Sequence, residues 1–427
     1  MTSLINFRKL FDVVTGVLTG DDRFTGLPRV IAVDYETSHD RRARTLKHLL
    51  RANHHQYAVL YNRLHFHNHL PHILGSVFLL GGDEYKLQTI YDEDHKELEP
   101  WQDAPQEVTV EDWRDFLGNK GYQRAYLDFF EDELVRLDYD WKEVVREYLL
   151  AGPEPLINGL ISGLGHSMIH LGYAFELNSK DLAMEALVLN ATNYDFLHQY
   201  IDTPAPAVQA SIIYTPLEIL EQIKADKRFD NLFSLPGERN LKRLFALQEE
   251  AVLEYFHKLQ ITDITHLHKQ FTKLATTLLM TTHAPGDPQY DFFFCHTLTT
   301  AYAIRILLPE LPRSCSESLI RQHWLFIVFV YIVQFRPVIS PQLVEGVDTQ
   351  GKSWDDIVNQ ALSRKLPDTH FVKAIRTIKM NAELWPEEDE WYKKAACKMV
   401  KEFRRWVGFG ALGEEEEVRR NGLEEDN

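Results

Sequence analysis

Cysteine is nearly absent, with Cys295, Cys315 and Cys397 the only three in 427 residues. An odd number without CxxC spacing excludes a disulfide framework and a cysteine-rich zinc module, and it fits a reducing compartment, so a cytoplasmic location is expected. Basic charge is in deficit too. The formal net charge is −17, which repels phosphate backbones, and no Lys/Arg stripe offers nucleic acid a grip. Long hydrophobic runs are missing: the longest, Trp324 to Val333, falls well short of the roughly 18–20 residues that a membrane span needs and reads as a buried helix. The opening MTSLINFRKLFDVV is interrupted by Arg8, Lys9 and Asp12, so it has no cleavable apolar core and is not expected to be a secretory signal.

Nucleotide and hydrolase signatures are lacking as well. No GxGxxG follows a strand pattern; the nearest sequence, Gly163-Leu164-Gly165, lies inside an apolar helical pattern, and no GK[ST] occurs. No GxSxG elbow and no paired-carboxylate motif is found. No repeat of fixed period supports a solenoid.

Present instead is globular composition, 44% hydrophobic and 26% charged, enough to bury a sizeable core. Leucines recur at helical spacing in TLKHLLRANHHQYAVLYNRL, LKRLFALQEEAVLEYFHKL and TLTTAYAIRILLPEL, and the segments are broken at TPAPA, HAPGDPQ and FRPVISPQ. Strand patterns are few. The expectation is an all-α fold: a single large irregular multi-helix domain over residues 1–410 with a buried histidine-rich site, followed by an acidic disordered tail over 411–427.

Nineteen histidines are present, and RLHFHNHLPHILG places His65, His67, His69 and His72 within eight positions. Pro71 suits a first helical turn and Asn68 a cap, which predicts a helix from about His69 through Leu80 with His69, His72 and Ser76 on one face. In GLISGLGHSMIHLGYAFEL, His166, His170 and Tyr173 fall together on an otherwise apolar helix. Such a polar seam must be hydrogen-bonded, wet or metallated, since an unpartnered buried polar group costs on the order of 1–3 kcal/mol. Spacing i, i+4 lets two imidazoles reach one ion. His296, in DFFFCHTLTTAYAIRILLP, lies on a helix apolar enough to be internal; taken alone it reads as a satisfied core or surface histidine rather than a ligand. PDTHFVKAIRTI carries His370 and Lys373 with Asp368 as a cap, although Lys373 points away from the stripe of Phe371, Val372, Ile375 and Ile378 and would by periodicity face solvent. The remaining histidines, His54 among them, read as surface or packing residues.

On FHNHLPHILG with LLGG downstream, GHSMIHLGYAFE, DFFFCHTLTTAYAIRILLP, QFRP and HFVKAIR, the sequence resembles the questin oxidase-like family of fungal aromatic-polyketide pathways. The resemblance implies an oxidoreductase: a non-haem iron-dependent dioxygenase cleaving a ring C–C bond of an anthraquinone-type polyketide in secondary metabolism, or an NADPH-dependent Baeyer–Villiger oxidase of the same substrates. A metal-dependent hydrolase is a further alternative. The cofactors implied are Fe(II) and O2, with NADPH possible, and the partner is a small aromatic molecule rather than nucleic acid or membrane. By the same resemblance His72, His166, His170, His296 and a carboxylated Lys373 are expected to bind metal, and His67 and His69 to serve catalysis. Tyr173, Phe293 and Phe294 are candidates for holding a flat substrate. A lysine takes up carbon dioxide only as the neutral amine, so this role requires burial that depresses its pKa. Oligomeric state is not addressed by the sequence.

Overall fold

In the computed structural model, which describes residues 24, 26–204, 213–284 and 286–410, nearly all regular structure is helical. The helices in chain order are α1 (Arg41–Gln56), α2 (Leu70–Leu79), α3 (Glu84–Asp94), α4 (Gln123–Arg136), α5 (Trp141–Leu149), α6 (His166–Glu176), α7 (Lys180–Asn193) and α8 (Gln199–Asp202), then α9 (Pro216–Ala225), α10 (Leu241–Lys258), α11 (Ile264–Thr281), α12 (Phe292–Leu307), α13 (Ser316–Val333), α14 (Gln342–Glu345), α15 (Trp354–Leu362), α16 (Thr369–Leu384) and α17 (Asp389–Glu402). Extended pairing among the described residues is limited to two-residue strands, β1 (Leu60–Tyr61) antiparallel to β2 (Phe66–His67) and β3 (Tyr290–Asp291) parallel to β4 (Trp406–Val407), and to an isolated antiparallel bridge between Tyr57 and Pro100. The expected N-terminal segment and acidic tail lie outside the described residues.

The site rests on α2, α6, α12 and α16, four helices buried around most of their circumference. Helix α6 packs on both α7 and α12. It approaches α12 closely because Gly172 has no side chain: a Cβ there would lie 3.1 Å from the Ala303 Cβ. The apolar run Trp324 to Val333 is the buried second half of α13. No helix among the described residues is long and apolar enough to cross a membrane.

Helix α2 begins one residue later than expected, with Pro71 in its first turn and His69, not Asn68, at the cap position. Asn68 still serves the helix start, its Oδ1 accepting from Leu70 N at 3.0 Å. A clearer departure is at Gly163-Leu164-Gly165. These three do not continue an apolar helix but form a turn with φ of 57°, 59° and 73°, and α6 starts only at His166. Two glycines flanking one strained leucine make this left-handed turn affordable, and its geometry puts His166 at the very start of the helix. Lys373 departs as well: α16 is buried on the face that periodicity assigns to solvent, and Lys373 is 1% exposed. The stripe of Phe371, Val372, Ile375 and Ile378 faces one part of the core while Lys373 faces another.

A candidate metal centre of converging imidazoles

Among the described residues, His69, His166, His296 and His370 each bring one ring nitrogen to within 4.8 Å of the others. His69 Nε2 lies 2.8 Å from His166 Nε2, which lies 3.2 Å from His296 Nε2. His370 joins through ring contacts with His69 and His296, centroids at 4.6 and 4.9 Å. The residues come from the start of α2 and from α6, α12 and α16, so distant stretches of sequence meet only in the folded chain. His69 is half-buried and the other three are buried.

Hydrogen bonds to the backbone fix two of the tautomers. His166 Nδ1 faces Gly163 O at 2.6 Å and His296 Nδ1 faces Phe292 O at 2.8 Å. A carbonyl can only accept, so each Nδ1 carries the hydrogen and each neutral ring turns a bare Nε2 lone pair inward. Two such lone pairs 3.2 Å apart repel unless a cation lies between or beside them. Burial, reinforced for His69, His296 and His370 by the positive charge of Lys373, holds all four pKa values well below the usual imidazole range, which disfavours a proton as that cation. With metal–imidazole bonds of about 2.1 Å, donors on one ion stand roughly 3 to 4.2 Å apart, and the cluster's spacing brackets that range. The donor set therefore fits a first-row metal ion held by neutral imidazoles.

Lys373 is buried beside the cluster, and its Nζ has no hydrogen-bond partner among the described residues. Burial lowers its pKa to about 8, so roughly a tenth of it is neutral at pH 7, the form that carbamate formation requires. His67 stacks on His166 at 3.8 Å with nearly parallel rings, and burial pushes its pKa down to about 3. His72 and His170 adjoin the four, and His72 keeps its Nδ1 without a partner among the described residues. His72 Nε2 meets His170 Nδ1 at 3.0 Å, and His170 Nε2 meets Glu185 Oε2 at 2.7 Å, so both nitrogens of His170 are committed to these bonds. Of the five residues expected on the metal, the structure thus brings His166 and His296 into the tight group with Lys373 close by, and it places His72 and His170 behind. His69, expected in catalysis, and His370, read only as a candidate, complete the four.

Among the aromatic candidates, Tyr173 stacks on His72 at 4.9 Å and its hydroxyl bonds Ser76 Oγ at 2.6 Å. Phe294 is core, and Phe293 packs toward Phe409 at 6.1 Å. Phe292 contacts the cluster closely, 4.6 Å from His296 and 4.5 Å from His370, with Phe409 on its other flank at 4.8 Å and Trp406 6.1 Å from His370. Spacing could have found it, since Phe292 is four residues before His296 and shares its helical face. Sequence reasoning also missed Glu185 and His54. Glu185 had a signal: a lone acid within the apolar run LAMEALVL of α7 must be paired if that run is buried.

A helical protein with a buried multi-histidine site is the class that fold and geometry define. Residues 66–378 match the questin oxidase-like family, and the chain belongs to it. It is 24% identical over 366 residues to the Baeyer-Villiger oxidase mdpL of Emericella nidulans, covering 79% of this chain and 81% of that protein. It is 24% identical over 385 residues to the questin oxidase of Aspergillus fumigatus, covering 84% and 85%. A third relative, the oxidoreductase AflY of Aspergillus parasiticus, is 24% identical over 366 residues, covering 77% and 71%. The chain is an oxidoreductase of this family, and all four imidazoles of the cluster fall inside the matched span.

Proposed function

We propose that the chain is a non-haem iron-dependent oxygenase that opens a ring of an anthraquinone-type aromatic polyketide by cleaving a C–C bond. The observation that carries this reading is the pair of inward-facing lone pairs on His166 and His296, locked by Gly163 O and Phe292 O. His69, His166, His296 and His370 would hold the ion, with Lys373, as its carbamate, adding a hard oxygen ligand. Iron bound there supplies electron exchange with O2, which zinc in the same donors could not. Phe292 and Phe409 offer an aromatic flank against which a flat substrate can stack. His67, neutral and stacked on His166, would hydrogen-bond a phenolic oxygen through its Nε2, which has no partner among the described residues. The relatives' names support the substrate class, one of them being named for the oxidation of questin.

A second reading, an NADPH-dependent Baeyer–Villiger oxidase, is favoured by the name of mdpL. The two are separated by elemental analysis of untagged protein beside its His166→Ala and Lys373→Ala variants, with oxygen uptake on questin measured with and without NADPH. Near-stoichiometric iron that is lost in His166→Ala, and oxygen uptake without NADPH, are expected. Folded metal-free protein that turns over questin only with NADPH overturns the iron reading in favour of the second.

A further inference from the structure

Behind the cluster, five helices each contribute one titratable side chain to an unbroken file of hydrogen bonds. Glu131 of α4 meets His54 Nε2 of α1 at 2.9 Å, and His54 Nδ1 meets Glu185 Oε1 of α7 at 2.8 Å. Glu185 Oε2 meets His170 Nε2 of α6 at 2.7 Å, and His170 Nδ1 meets His72 Nε2 of α2 at 3.0 Å. The outer end reaches solvent, the Glu131 side chain being 40% exposed, whereas His54 and Glu185 are each 2% exposed. At the inner end His72 Nδ1 is buried and has no partner among the described residues, with the His72 ring 5.4 Å from that of His69. Carboxylate and imidazole alternate along most of the file. A purely structural tie for His170 would need Glu185 alone; it would not need Glu185 to be joined through a second buried imidazole to a carboxylate at the surface.

We propose that Glu131, His54, Glu185, His170 and His72 form a proton path between solvent and the buried histidine centre. Donor directions follow from the partners. His54 faces a carboxylate at each nitrogen, so both carry hydrogen, and His170 Nε2 likewise donates to Glu185; with His170 neutral, its Nδ1 accepts from His72 Nε2. Outward conduction balances as follows. A proton taken up at His72 Nδ1 displaces the His72 Nε2 proton to His170 Nδ1. The His170 Nε2 proton passes to Glu185 Oε2, His54 releases its Nε2 proton to Glu131 and Glu131 releases it to solvent, and the proton gained by Glu185 then passes to His54 as the carboxyl and the His54 ring turn, restoring the ion pair. One proton enters, one leaves, and the total charge is unchanged. On the oxygenase reading this path would clear the proton of a phenolic substrate from a site that burial closes to bulk water. Its existence does not rest on that reading.

The test needs no substrate. Full-length protein carrying ring-15N histidine and loaded with zinc, which takes the same imidazole donors and is diamagnetic, is transferred to deuterium oxide and the imidazole N–H signals of His54 and His170 are followed by NMR. Glu185→Gln is expected to slow exchange at His170 by about tenfold or more while leaving His54 in exchange with solvent, because it cuts the path between them. Unchanged or faster exchange at His170, or acceleration at both rings together with the backbone amides, overturns the path. Should Glu185→Gln fail to fold, Glu131→Gln at the half-exposed end keeps the test: slower exchange at both rings is expected, and an unchanged rate at both overturns it. Oxygen uptake on questin then reports separately on the oxygenase reading, since a wild type that conducts protons but leaves questin untouched refutes the substrate and not the path.

Discussion

Single residues at this site are constrained by backbone geometry as much as by chemistry. Gly165 has φ of 73°, and a Cβ on it would fall 2.4 Å from Thr300 Cγ2 of the neighbouring α12. Left-handed backbone costs a residue with a side chain about 1–2 kcal/mol, and overpacking a tight contact about 1–3 kcal/mol more. Gly165→Ala is therefore expected to destabilise the fold by about 2–5 kcal/mol in urea unfolding, and to reduce metal content, because the turn that it closes presents Gly163 O to His166. An alanine variant with unchanged unfolding midpoint would show that the turn is compliant. At the same scale His54 illustrates how partners decide protonation. Burial alone would depress its pKa, but its bonds to Glu131 and Glu185 outweigh burial and hold it at about 10. That stabilisation is complete below the unfolded histidine value of about 6.5 and is lost as pH rises through about 10. His54→Gln, which removes it, should flatten the decline in stability above pH 8 relative to wild type, as read from thermal midpoints across that range.

At the scale of elements, a few caps aim the site. Asp368 Oδ1 accepts from Phe371 N at 2.8 Å, fixing the start of α16 that carries His370. Asp291 Oδ1 accepts from Phe293 N and Phe294 N at 2.8 and 3.1 Å, fixing the start of α12 that carries Phe292 and His296. Burial raises the Asp291 pKa to about 7, so the cap's acceptor is useful and its charge is not. Asp291→Asn, which keeps an acceptor without the charge, is expected to retain stability at pH 8, whereas Asp291→Ala should lose about 1 kcal/mol in urea unfolding and lower metal content; equal losses in both variants would mean that the charge is required. The start of α16 at its Asp368 cap and the place of Pro71 in the first turn of α2 were legible in the sequence because such signals act locally. The His166/His170 seam was legible for the same reason, being a pattern within one helix. What could not be read was partnership between helices: that His370 and His69 meet His166 and His296, that Glu185 faces His170, and that the polar side of α16 turns inward. Each depends on how α2, α6, α7, α12 and α16 pack, and local periodicity contains none of it. The left-handed turn at Gly163-Leu164-Gly165 was obscured by its apolar surroundings, which mimic a continued helix.

For the molecule as a whole, the neutral imidazoles gathered in one core make the metal-free fold sensitive to acid. His67, His69, His72, His166, His296 and His370 all have pKa values lowered by burial, His67 to about 3. Below the unfolded value of about 6.5 the unfolded chain binds protons that the folded core refuses, so stability falls as pH drops. Each such histidine contributes up to about 1.4 kcal/mol per pH unit once pH is well below 6.5. A bound ion opposes this through mass action, adding about 4 kcal/mol at a free metal concentration a thousandfold above Kd, and it ties up the lone pairs that protons would take. Chelator-treated protein should therefore lose thermal stability steeply between pH 6.5 and 5, and metal-loaded protein should hold its midpoint further down before losing ion and fold together. His296→Ala removes one inward-facing lone pair and its acid liability, so in that variant the midpoints with and without metal should draw together. Parallel pH profiles for loaded and chelated wild type would place the bound ion away from these imidazoles.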